Sequence, residues 1–183
     1  MPCGAILYFD DETDAAIRGL WQAIDDAGLP STSLGLNYPP HMTLMVCDDL
    51  DLDGLRRTLP QFIAVHTPLL VRFAGLGVFP GKEVTIYQSL TWNRELLDLH
   101  ARFWQVADPY VQQSDEHYRP GAWVPHVTLD YALAPDQVGG VVETLLQNSL
   151  PSYGLLRELV LVDFQPEESK LEERFKTRLG RYL

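Results

Sequence analysis

The sequence predicts an α+β protein built as two similar lobes, and three observations predict it. Short apolar segments of strand character alternate with segments of helical period, the alternation runs twice along the chain, and one five-residue motif recurs at a matching place in each run. With 183 residues, 46% of them hydrophobic, the chain is long enough to bury a core without a disulfide or metal staple. No Pro/Gly/Ser-rich linker and no low-complexity run divides it, so a single domain over residues 1–183 is expected.

The elements follow in order. Residues 5–9 form an apolar run too short for a helix, and are read as a strand. Residues 12–27 place Ile17, Leu20, Trp21 and Ile24 at helical spacing before Gly28-Leu29-Pro30 stops the pattern. Residues 41–47, bounded by Pro39-Pro40 and Asp48-Asp49, form the next strand, and residues 51–65 a helix interrupted by Pro60. Residues 69–79 and 84–90 are hairpin partners around a turn at Pro80-Gly81. The strongest helix covers residues 93–107, with Leu96, Leu97, His100, Phe103 and Trp104 in register. A strand at 126–133, a Pro-opened helix at 135–146 and a strand at 155–164 complete the second run. The last segment alternates Arg174, Lys176 and Arg178 with other residues, as an exposed edge strand does to block aggregation; a phosphate-facing basic stripe is the alternative.

Composition narrows the function. Lys and Arg number 14 against 25 Asp and Glu, a net charge of −11, which argues against a long-nucleic-acid coat protein, because such binding rests on cations at phosphates. The two cysteines, Cys3 and Cys47, are too few for a disulfide framework and are read as small core residues of a reducing cytosol. The first residues show no basic leader and no apolar stretch near 18 residues, so a cytoplasmic, monomeric protein with no membrane anchor is expected.

The sharp signal is the repeat. Pro40-His41-Met42-Thr43-Leu44 and Pro125-His126-Val127-Thr128-Leu129 agree at four of five positions and hold two of the five histidines. Both open a strand, so His41 with Thr43, and His126 with Thr128, share one face while the intervening residues point into the core. The prolines hold the chain extended before each His. Two imidazoles and two hydroxyls across one groove suit phosphodiester chemistry without a metal: one imidazole takes a proton, the other gives one, and the hydroxyls hold phosphoryl oxygens.

At these residues the sequence resembles the 2H phosphoesterase superfamily, which includes bacterial 2'-5' RNA ligase-like proteins and cyclic phosphodiesterases and is defined by two His-x-Thr/Ser tetrads. Gly75-Leu76-Gly77-Val78-Phe79-Pro80 and Arg157-Glu158-Leu159-Val160-Leu161-Val162 are similar to two further family segments. The resemblance implies two antiparallel-sheet lobes with outer helices around a central groove, a site needing no cofactor or metal, and hydrolysis of a 2',3'-cyclic phosphate or related cyclic phosphodiester on a small nucleotide or an RNA 3' end. It makes His41 and His126 the acid/base pair and Thr43 and Thr128 the phosphate holders. A 2'-5' RNA ligase, or a nucleotide-binding module without turnover, would use the same residues.

Other candidates are secondary. Tyr8, Tyr38, Phe79 and Trp123 lie near the ends of segments bordering the expected groove and offer rings for a base to stack on. Lys82, at the hairpin turn, is a candidate phosphate ligand. Asp130 follows Thr128 by two residues and is expected on the same face. His66, His100 and His117 have no repeat partner, and His100 falls on the apolar side of its helix. No His-Glu-x-x-His, Cys-x-x-Cys, dinucleotide fingerprint or P-loop is present.

Overall fold

Seven consecutive small or apolar residues form β1 (Cys3–Phe9), and all seven are buried, because the strand has neighbours on both edges and cover on both faces. The computed structural model describes residues 2–165 and 170–180. Around β1 stand β2 (His41–Leu50), β3 (Leu69–Phe79), β4 (Val84–Leu90), β5 (Val111–Ser114), β6 (His126–Leu133), β7 (Tyr153–Gln165) and β8 (Lys170–Arg178). The strand order is β5-β2-β1-β7-β3-β4-β6, with β8 pairing β7 beyond the short stretch that β3 uses, and every pairing is antiparallel. β3 joins the two parts of the sheet. Its first residues, Leu69 to Arg72, pair with β7, and from Phe73 on it pairs with β4, with an irregularity between Phe73 and Leu76.

Helices α1 (Asp11–Asp26), α3 (Leu52–Ile63), α4 (Arg94–Ala107) and α5 (Val138–Gln147) bury their apolar stripes in one large core with Ala5, Leu7 and Phe9 of β1. α1 packs beside α5, and α3 beside α4. Three helices start at side-chain caps: Asp10 accepts the Thr13 amide at 3.1 Å, Asp51 the Gly54 amide at 2.9 Å, and Asn93 the Leu96 amide at 2.8 Å. The opposite face of β1 places Ile6 and Tyr8 against Val160 and Val162 in a smaller cluster.

The α+β class, antiparallel pairing and hairpin match the sequence reading, and three details differ. The last helix, α5, begins only at Val138, because residues 134–137 close a turn in which Gln137 Oε1 accepts the Ala134 amide at 2.8 Å. α3 continues through Pro60, whose ring lies exposed and whose carbonyl still accepts the Ala64 amide at 3.0 Å. A short helix, α2 (Thr32–Leu36), and the four-residue β5 were not expected. On β8, Arg174 pairs with Asp163 and Lys176 with Glu158, so its basic stripe neutralises the neighbouring strand.

Candidate active site

The two histidines are held in the same way. Each opens its strand, His41 opposite Tyr8 of β1 and His126 opposite Ser89 of β4. The His41 Nδ1–H donates to the Pro39 carbonyl at 2.7 Å, and the His126 Nδ1–H donates to the Val124 carbonyl at 2.7 Å. A carbonyl only accepts, so each bond fixes the tautomer and leaves Nε2 as the reactive nitrogen. Both rings border one groove of ≈ 340 Å³. Burial lowers the pKa of His41, its Pro39 bond opposes that, and the charge of His126 lowers it further. Burial lowers His126 also, opposed by its Val124 bond. Mutual repulsion favours one proton on the pair over two.

Thr128 lies on the groove wall, whereas Thr43 is only 9% exposed and is not among the residues that line it. The wall is otherwise mostly aromatic and apolar, with Trp21, Tyr38, Phe79, Tyr118, Tyr131 and Phe164 on it and Ser33 and Thr85 as further hydroxyl residues. Among the described residues of that wall, the imidazoles are the only groups able to carry positive charge. Phe79 stacks on Tyr87 at 4.2 Å and meets His126 edge-on at 5.0 Å, and Tyr87 also touches that imidazole at 5.2 Å. Gly77 permits this stack, since a Cβ there would collide with the Tyr87 ring.

Of the ring-bearing candidates, Tyr38 and Phe79 reach the groove; Tyr38 is anchored by its hydroxyl, which donates to the Lys170 carbonyl at 2.7 Å. Trp123 does not line this groove. It is 4% exposed, with its ring stacked on His100 at 3.8 Å, and it borders an adjoining cavity with Phe79, Tyr118 and His126. Tyr8 is likewise buried, on the Ile6 side of the sheet beneath Lys176, and borders a different cleft. Lys82 is exposed in its turn and does not line the groove. Asp130 is fully buried: a bulge at Leu129 turns it inward, where it accepts the Ser33 amide of α2 at 3.1 Å and burial raises its pKa.

Two indoles link the tetrads crosswise. Trp123, just before the second tetrad, donates from Nε1 to the Thr43 carbonyl at 2.9 Å, and Trp21 of α1 donates to the Thr128 carbonyl at 3.3 Å. Trp21, Tyr118, Tyr131 and Phe164 escaped the sequence reading because they come from a helix face, a turn, a bulged strand and a distant strand. Only Tyr131 carried a signal, its place on the second tetrad's own strand.

A model of the 2'-5' RNA ligase superfamily matches residues 9–168, most of the chain and both tetrads. The chain belongs to this superfamily. A Bacillus pumilus (strain SAFR-032) protein named as a proposed phosphoesterase is 30% identical over 110 residues, which cover 58% of this chain and 60% of that relative. The superfamily fold is evident in solved structures: TT0787 of Thermus thermophilus superposes with TM-score 0.64 at 17% identity over 100% of both chains. E. coli LigT in complex with 3'-AMP superposes with TM-score 0.59 at 12% identity over 98% of both. Among the described residues no helix is long and apolar enough to cross a membrane.

Proposed function

We propose that this chain is a metal-independent phosphoesterase that opens a 2',3'-cyclic phosphate, or a related cyclic phosphodiester, on a small nucleotide or an RNA end. The observation that carries this reading is the pair of imidazoles with both Nδ1 atoms tied to carbonyls, leaving two Nε2 atoms on one groove. With one proton on the pair, the neutral Nε2 takes a proton from water as its oxygen attacks phosphorus. The imidazolium gives its proton to the departing ribose oxygen. Water is consumed, one P–O ester bond breaks, and a phosphomonoester and a free hydroxyl result. Thr128 and Thr43 donate to the non-bridging oxygens.

The groove's charge supports a diester over a monoester. A cyclic phosphodiester is a monoanion, matched by one imidazolium, whereas no Lys or Arg on the described wall is present to balance a dianion. The aromatic wall suits a base or ribose. The nucleotides in the two LigT complexes, 3'-AMP and NADP+, are in keeping with a small nucleotide ligand here. The whole chain acts as one unit in this reading, each half supplying one tetrad.

The test is turnover, in chelator, of the four nucleoside 2',3'-cyclic monophosphates and a short RNA ending in a cyclic phosphate, beside His41→Ala and His126→Ala. Cleavage by the wild type, lost in both variants, is the expected result. Full activity in either variant overturns the two-histidine mechanism, and wild-type binding without turnover across the panel overturns hydrolysis in favour of a nucleotide-binding module.

A further inference from the structure

β1 and β2 carry a second chemical pair at the end of the ladder away from His41. Cys3 and Cys47 are directly opposite each other across the two strands, with their sulfurs 3.0 Å apart. The Cys3 thiol donates to the Cys47 carbonyl at 3.4 Å, which leaves the Cys47 S–H to donate to the Cys3 sulfur. Neither residue touches the groove. Cys3 instead borders a separate cleft of ≈ 270 Å³ with Asp48, Asp49, Asp163 and Arg174, while Cys47, 1% exposed, lies behind it.

We propose that Cys3 and Cys47 form a site of reversible oxidation, in which hydrogen peroxide, a neutral oxidant, converts the two thiols to a cross-strand disulfide. Geometry sets the order of events. Cys3 is the residue of the pair that borders the cleft, and the hydrogen bond from Cys47 favours its thiolate. The hydrogen bond to Cys3 and desolvation raise the Cys47 thiol, and the negative charges of Asp48 and Asp49 add to this, which keeps that sulfur protonated until it reacts. In the first step the Cys3 sulfur attacks a peroxide oxygen, the O–O bond breaks, and Cys3 sulfenic acid and one water form. In the second the Cys47 sulfur attacks the Cys3 sulfur, the S–O bond breaks, and hydroxide leaves with the Cys47 proton as a second water. The two thiols lose two hydrogens and two electrons, and the peroxide takes both. A dithiol reductant reverses the change.

The cleft selects the oxidant. Three carboxylates surround Cys3 against one guanidinium, itself paired with Asp163, so an anionic disulfide such as oxidised glutathione is repelled and a neutral peroxide is not. The resolving sulfur already stands at 3.0 Å, so cross-linking competes well with further oxidation of Cys3. The bond would close the loop that holds α1, α2 and the start of β2, and with them His41.

The experiment treats the fully reduced chain with stoichiometric hydrogen peroxide and reads intact mass, titratable thiols and the joined peptides. The expected result is a loss of two hydrogen masses, simultaneous loss of both thiols, a Cys3–Cys47 cross-linked peptide within one chain, and full reversal by dithiothreitol. Tm in the oxidised form rises by roughly 5 °C or more. In Cys47→Ser a sulfenic-acid trap labels Cys3, while Cys3→Ser stays unlabelled. Wild-type thiols that survive peroxide, a sulfinic acid on Cys3 without a cross-link, or disulfides only between chains would overturn the proposal, and labelling of Cys47 in Cys3→Ser would overturn the order.

Discussion

His41 and His126 carry the same hydrogen bond at the same length, yet what stands behind them differs. The first tetrad is backed by a buried polar stack: Trp123 bonds the Thr43 carbonyl, and its ring lies on His100, whose Nε2–H donates to the Leu44 carbonyl at 3.2 Å. The second is backed by rings, with Phe79 and Tyr87 against His126 and one longer bond from Trp21 to Thr128. Its strand has β4 alone as a described neighbour, whereas β2 lies between β1 and β5. Buried hydrogen bonds fix a direction and ring contacts fix mainly a distance. The first half is therefore the stiffer support and the second the more adjustable one.

The largest expected effect treats both halves alike: His41→Ala and His126→Ala each lower kcat/KM by roughly a thousandfold or more. A gap of more than about tenfold between them would show that one imidazole carries most of the chemistry.

Stability in acid separates the halves next. Burial lowers the pKa of His100 to about 4. The unfolded chain takes up this proton as pH falls below about 6.5, and the folded chain does not until about 4, so stability is full above that window and falls through it by roughly 3 kcal/mol. Urea unfolding at pH 7 and pH 4.5 measures the loss, and His100→Gln is expected to remove most of it. An unchanged slope in that variant would assign acid sensitivity elsewhere.

The threonines sharpen the contrast. Thr128→Val is expected to lower kcat by about 10- to 100-fold, and Thr43→Val, nearly buried, by less than about 10-fold. The reverse order would mean that the first tetrad opens toward the ligand when one binds.

Because burial lowers both active-site imidazoles, the kcat/KM profile is expected to peak below about pH 6.5 and fall up to tenfold per unit on its alkaline side. A bound phosphodiester monoanion favours the imidazolium, so the kcat profile should lie to the alkaline side of it. An optimum near pH 8 in kcat/KM would contradict this. Smallest of all, Trp123→Phe removes a buried hydrogen bond and should cost about 1–3 kcal/mol, with Trp21→Phe costing about 1 kcal/mol less by thermal unfolding.

Much of this was legible in the residues. The tetrads could be found because strand alternation has a period of two, so a repeated His-x-Thr must put like groups on like faces. The hairpin of β3 and β4 showed itself through alternation on both sides of Pro80-Gly81. Asp130 was misplaced for the same reason that the tetrads were found: a bulge at Leu129 breaks the period, and alternation past it predicts the wrong face. Trp123 is next to its tetrad in sequence, but whether its ring meets ligand or His100 depends on α4, which packs there from another part of the chain. Lys82 and Tyr8 failed likewise, since nearness in sequence to a groove-forming strand does not say which way a side chain leaves it. The five-residue α2 is too short to show a helical period, and Asp130 holds its first turn from 97 residues away.

One wall residue gives the groove a voice of its own. The chain has four tryptophans, and among them Trp21 alone lines the groove; Trp92 is 61% exposed, and Trp104 and Trp123 are packed in the core. A ligand stacked in the groove would change the surroundings of that one indole and leave the other three nearly as they were. Intrinsic fluorescence thus follows occupancy without any label, and the part of the emission change that disappears in Trp21→Phe measures the groove directly.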